Sequence, residues 1–165
     1  MFWRAPTAGL AIILGLSALT VSAVIAQQPI SIASVQGTAE ATPLAGDTVT
    51  VQGVVTADLR GADSFDGIYV QSETSADVDG ASDGIFVDLD GTNPPVTVGD
   101  LVEVTGVAGE HDSQTEIVAS ATNLVTAAVG IPAVADLAAS ARSESLEGML
   151  VAPIGYTLAS VDASV

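Results

Sequence analysis

One phrase is written twice in this chain. "GDTVTVQGVV" spans Gly46 to Val55 and "GDLVEVTGVA" spans Gly99 to Ala108, and both read G-D-x-V-x-V-x-G-V-apolar. Each part of the phrase has a local physical meaning. Gly-Asp makes the turn into a strand, alternating valines bury one face, and the later glycine lets the strand bend. Around the first copy the alternation is sustained. Val49, Val51, Gly53, Val55, Ala57 and Leu59 fall on one face, and Thr48, Thr50, Gln52, Thr56 and Asp58 on the other, with Val54 the exception. Period two with β-branched residues is a half-buried strand, which Gly53 interrupts as a bulge or sharp bend would.

Further strands follow. "GIYVQS" from Gly67 carries Ile68 and Val70 on one face, and "GIFVDLDG" from Gly84 carries Ile85, Val87 and Leu89 inward. The second copy of the phrase aligns Val102, Val104, Gly106 and Ala108, and "QTEIVAS" through "NLVTA" supplies a fifth strand broken near Ser120. Phe, Trp and Tyr make up only 4% of the residues, so the core must be built from Val, Ile, Leu and Ala. Two glycine-bent strands among five predict an all-β fold, a small five-stranded OB-fold-like Greek-key barrel with the phrase on strands one and four. A tandem repeat would need a third copy and matching flanks, and the chain has neither. "AVADLAASARSESLEGM" is Ala-rich and predicts one short helix in a helix/strand C-terminal tail.

The first residues have a different character. "MFWRAPTAGLAIILGLSALTVSAVIAQQ" carries Arg4, then an apolar stretch from Ala8 to about Ile25, then the small residue Ala26 before Gln27. That is the architecture of a secretory signal, or of an uncleaved N-terminal anchor helix. Either predicts an exported chain: secreted, or held at the cell envelope or in the periplasm. The expected organisation is a leader over 1–26, a linker over 27–45, the barrel over 46–127 and a connector over 128–165.

Charge and composition limit function. Twenty acidic residues stand against three arginines, giving a formal net charge of −17. Beyond Arg4 the only bases are Arg60 and Arg142. Such a surface repels phosphate backbones at long range, solvates the chain in salt and attracts divalent cations. There is no cysteine, so disulfides and thiolate metal sites are excluded. His111, the single histidine, lies in "GEHDSQTE" between Glu110 and Asp112 and reads as a solvated turn residue. Metal-assisted or general-base hydrolysis usually needs more than that, and no Gly-rich phosphate cradle is present.

Two candidate sites remain. In "SETSADVDGASDG", Glu73, Asp77, Asp79 and Asp83 could supply hard oxygen ligands to Ca²⁺ or Mg²⁺, although the spacing is not that of an EF-hand and a solvated polar loop accounts for it too. Tyr69 and Phe86 each point opposite to the inward valines of their strands. On an OB-fold the second and third strands form a common oligonucleotide-binding face, where aromatic rings stack on bases. Against that, Asp88 and Asp90 share the face of Phe86, and the two rings could instead pack under a loop or a neighbouring domain.

The segments "VTVQGVVTADL", "GIYVQS", "SDGIFVDLDG", "VGDLVEVTGVAGEHDSQTEI" and "LEGMLVAP", in that order, resemble the OB-fold domain near the N-terminus of large secreted bacterial endonucleases. The resemblance runs from about Ile32 to Pro153. It implies a catalytic domain of the endonuclease/exonuclease/phosphatase type downstream of Val165, so that this chain corresponds to a fragment or truncated product with no catalytic residue of its own. The expected function is therefore a non-catalytic accessory module of a secreted nuclease, contributing weak, divalent-dependent nucleic-acid binding or contact with a nuclease domain. The alternative is a cell-envelope module that docks a protein partner and has no nucleic-acid role.

Overall fold

The computed structural model describes residues 28–61, 65–74, 80–138 and 144–154. The leader over 1–26 lies outside them. Five strands close into a barrel: β1 (Thr48–Leu59), β2 (Gly67–Gln71), β3 (Gly84–Asp88), β4 (Leu101–His111) and β5 (Gln114–Thr126). The order around it is β1-β2-β3-β5-β4, closing back onto β1, with β3 parallel to β5 and the other pairs antiparallel. This is the five-stranded Greek-key barrel that the alternation and the paired glycines predict. Its interior holds Val49, Val51, Val55, Ile68, Val70, Ile85, Val87, Val102, Val104 and Ile117, all essentially inaccessible to solvent. Burying one such side chain stabilises the fold by about 1.5–3 kcal/mol.

The repeated phrase has a second explanation beyond local structure: its two copies pair with each other. Val51 faces Val104, the second valine of each copy, while Gly53 faces Val102 and Gly106 faces Val49. Each glycine therefore lies opposite the first valine of the other copy. The ends match as well. Gly46 donates to the Ala108 carbonyl (2.8 Å) and Ala108 to that of Asp47 (3.0 Å), while Gly99 donates to Val55 (2.8 Å) and Val55 to Asp100 (2.9 Å). Between them run two side-chain pairs, Thr50 Oγ1 with Thr105 Oγ1 at 2.9 Å and Gln52 Nε2 to Glu103 Oε2 at 3.0 Å. The β1–β4 ladder is thus a local pseudo-twofold, and the sequence repeat is its imprint.

The register shifts lie a few residues past the glycine in β1 and directly beside it in β4. In β1 the register shifts between Val55 and Ala57, past Gly53, where the strand passes from pairing β4 to pairing β2. In the β4–β5 pair it shifts between Thr105 and Gly106, leaving Ser120 out of register as a bulge. The Ser120 hydroxyl donates to the Thr105 carbonyl at 3.0 Å. The β4–β5 hairpin turns on Asp112 and Ser113, both at positive φ (50° and 65°), as a two-residue primed turn requires.

Two stretches differ from expectation. Residues 27–45, expected as a linker, include a short helix, α1 (Ile32–Gln36), N-capped by the Ser31 hydroxyl, with Ile32 and Val35 wholly buried in the barrel core. The Ala-rich stretch after 128 holds no described helix beyond a 3₁₀ turn at Glu144–Leu146. Ala135–Ala138 is instead a strand, β6, parallel to β7 (Val151–Ile154). Alanine favours helix only weakly, and pairing with a distant strand overrides it.

Candidate functional site

The outer face of β2 and β3 is where sequence placed the aromatic pair. Tyr69 and Phe86 are direct cross-strand partners, with ring centroids 5.2 Å apart in an edge-to-face arrangement. Phe86 is only 6% exposed, and its ring lies over Gly67, where an added Cβ would sit 2.6 Å from Phe86 Cε2. Tyr69 is half-buried, and its hydroxyl accepts from Gln114 Nε2 at 2.7 Å. Phe86 therefore offers no free face to a base, and Tyr69 offers part of one.

Residues 144–150 lie on this face. Gly84 and Gly148 meet backbone to backbone, and a Cβ on Gly84 would sit 2.6 Å from Met149 N. Only glycine permits that approach at position 84. Polar groups of the barrel complete the seat. Ser82 Oγ donates to the Glu147 carbonyl at 2.5 Å, Leu150 N–H donates to Gln71 Oε1 at 2.9 Å, and Gln71 Nε2 reaches the Ala133 carbonyl at 3.2 Å. Gln71 is a buried amide, and these two bonds engage both ends of it. From β5, Thr115 N–H donates to Glu147 Oε1 at 2.7 Å. A shallow cleft of about 220 Å³ remains beside the segment, lined by Thr56, Ala57, Tyr69, Gly148, Met149 and Leu150.

Carboxylates gather at the β4–β5 end of the face. Glu110 Oε1 accepts from Thr42 N–H (2.7 Å) and Thr115 Oγ1 (2.8 Å). Burial raises the Glu116 carboxyl above its usual range, with His111 opposing and Asp88, Glu110 and Asp112 adding to the rise. His111 Nδ1 is 4.0 Å from Glu116 Oε2, but its side chain is 73% exposed, as a turn residue would be. Among the described residues no group of three or more His, Cys, Asp and Glu side chains is placed to hold a metal. Of the four expected cation ligands, Asp77 and Asp79 lie outside the described residues. Glu73 is exposed, and Asp83 is buried, its carbonyl accepting from Ser72 N–H at 2.9 Å.

Arg60, the described base beyond the leader, is not available to a phosphate backbone. It pairs with Asp58 at 2.5 Å and donates to Asn93 Oδ1 and to the carbonyls of Pro94 and Val96, tying the end of β1 to the loop before β4. Its hydrogen bond to Asp58 holds that carboxyl below the usual range.

The fold and this face define a small OB-fold-like barrel whose outer sheet surface is occupied by its own chain. Two solved structures are similar to it. The hypothetical protein YgiW from E. coli shares 22% identity, covering 60% of this chain and 91% of its own, with a TM-score of 0.43. An OBody bound to hen egg-white lysozyme shares 19% identity, covering 64% of this chain and 98% of its own, also with a TM-score of 0.43. No protein-family model and no curated protein matches the sequence. Among the described residues no helix is long and apolar enough to cross a membrane.

Proposed function

We propose that this chain is a non-catalytic OB-fold accessory module of an exported, nuclease-like protein, and that its β2–β3 face holds a segment of polypeptide rather than nucleic acid. Export rests on the leader, and the nuclease association on the resemblance of the strand segments. The observation that carries the choice of polypeptide is the seating of residues 144–150, through Gly84, Ser82, Gln71 and Thr115. Ser82 and Gln71 bond main-chain groups of the segment and Gly84 admits its backbone at close range, contacts that a polypeptide makes and a nucleic acid does not. Base stacking would need the buried ring of Phe86 and would set phosphates against a chain of net charge −17. In this role the module braces the polypeptide that leaves the barrel and performs no chemistry.

The test is Gly84→Ala in the full chain. The added methyl collides with Met149 N and the Gly148 backbone, so residues 144–150 should become protease-sensitive while the barrel still melts cooperatively. Fluorescence anisotropy with a single-stranded oligonucleotide, with and without Mg²⁺ or Ca²⁺, should show no binding by the native chain. Tight oligonucleotide binding by the native chain, or an unaltered cleavage pattern in Gly84→Ala, would overturn the reading.

A further inference from the structure

The strand β5 outruns its partner on one side. β3 pairs with it only at Glu116, Ile117 and Val118, whereas β4 follows it from Gln114 to Thr126. Beyond Val118 its other edge meets no strand among the described residues. The β4–β5 ribbon therefore presents main-chain N–H and C=O groups along residues 119–126, an edge on which another strand can pair. Proteins commonly guard such an edge with a charge or a proline, and residues 119–126 contain neither. On the same stretch Thr122 Oγ1 is buried and has no hydrogen-bond partner among the described residues.

The surface around the edge has the same character. No charged residue occurs from Ile117 to Ala135, in a chain that carries 20 acids. Six of the nine large apolar side chains exposed among the described residues fall within it: Val118, Leu124, Val125, Val129, Ile131 and Val134. The acids that border it are engaged with their own neighbours. Glu103, across the ladder from Asn123, accepts from Gln52 Nε2, and Asp100 accepts from the Thr97 and Ala128 N–H groups.

We propose that two copies of this chain associate through β5, the free edges over residues 119–126 pairing antiparallel about a twofold axis at Asn123. Charge decides the occupant. A chain of net charge −17 repels a second copy over most of its surface, and this stretch is where two like chains can meet without setting acids against each other. A basic partner would find no carboxylate on it to recognise. The symmetry suits the side chains as well. In a twofold antiparallel pair, residues equally far from the axis on opposite sides lie face to face. About Asn123 that sets Ala121 against Val125 and Thr122 against Leu124, the smaller side chain against the larger each time, and brings the two Asn123 amides together. This interface lies apart from the β2–β3 face and does not depend on what that face holds.

The chain has no cysteine, so one introduced thiol reports the register. Directly opposed residues of an antiparallel pair bring their Cβ atoms to about 4.5–5.5 Å, close to disulfide reach. Under mild oxidation Asn123→Cys in the full chain should cross-link as a dimer. Val107→Cys, exposed on β4 but away from the free edge, should not. Sedimentation equilibrium of the native chain should show a monomer–dimer equilibrium that tightens as NaCl is raised to about 0.5 M, because salt screens the acids. Val125 is already 47% exposed, so Val125→Glu spares the core. It sets a charge on the edge of each copy and should raise the dissociation constant about tenfold or more. The apolar leader is present in every variant, so association through it would be indifferent to Val125→Glu and would favour no cysteine position. A native chain that stays monomeric at the higher salt, a dimer that Val125→Glu leaves unchanged, or cross-linking of Val107→Cys as fast as Asn123→Cys would overturn the proposal.

Discussion

Two glycines of β4 differ in how closely a neighbour approaches them. An added Cβ at Gly106 would collide with the Val118 carbonyl and lie 2.6 Å from Ile117 Cγ2. At Gly109 it would meet nothing within 4 Å. Gly106→Ala should therefore destabilise the barrel by about 1–3 kcal/mol through overpacking against backbone. Gly109→Ala, three residues along the same strand, should stay within about 0.5 kcal/mol. Urea denaturation of the two variants makes the comparison. From sequence the second glycine of the repeated phrase reads as a place where the strand bends; the structure adds that it also admits a neighbour at close range. What could not be read is which neighbour. At Gly53 it is Val70 and the Gln71 carbonyl of β2, and at Gly106 it is β5.

At the scale of elements, legibility followed periodicity. β1 through β4 could be bounded from alternating valines and isoleucines, and the break near Ser120 proved to be a bulge. The helix α1 escaped notice because five residues are too few to display a helical period. Its burial nevertheless makes it part of the core: Ile32→Ala should cost about 2–5 kcal/mol in thermal or denaturant unfolding, whereas a residue in a solvated linker would cost almost nothing. The strand β6 was missed because alanine composition points to helix while β7, which decides the matter, lies more than ten residues further along. The covered face was hidden for a related reason. Gln71, Ser82 and Thr115 look like ordinary surface polar residues in the sequence, and their partners are 79, 65 and 32 residues away. The aromatic pair, by contrast, could be placed on the outer face from alternation alone. Packing of the two rings under a loop was one of the two readings that alternation left open; the room that Gly67 yields to the ring of Phe86 was not legible.

For the whole molecule, two groups of carboxyls respond to acid in opposite directions. Asp58 is held below its usual range by Arg60, and Asp100 by the Ala128 N–H and then by Thr97. Their contribution to stability is present above the ordinary aspartate pKa and fades as pH falls through their lowered values. Glu116 and Glu147 are raised chiefly by burial, so theirs is present in acid and fades as pH rises through their raised values, about 7 for Glu147. The two windows leave a maximum between them, so the melting temperature should peak at about pH 5 and decline toward neutrality. Repulsion among twenty acidic residues acts in the same direction and is screened by salt. Calorimetry at pH 8 should accordingly show the melting temperature climbing by several degrees as NaCl is raised to about 0.5 M. A melting curve indifferent to both variables would mean that the carboxyl pairs contribute little to the fold.

The pseudo-twofold between β1 and β4 carries a liability as well as an explanation. A segment written to complement its near-duplicate also complements itself, so β1 of one molecule can line up with β1 of another in the register it normally uses with β4. Asp47 is the only charge in the first copy, so the segment itself does little to oppose such pairing, and salt that screens the net acidity of the chain lowers the remaining barrier. Refolding at high concentration thus offers each newborn chain a stranger as plausible as its own fourth strand, and swapped pairs are the species to watch for.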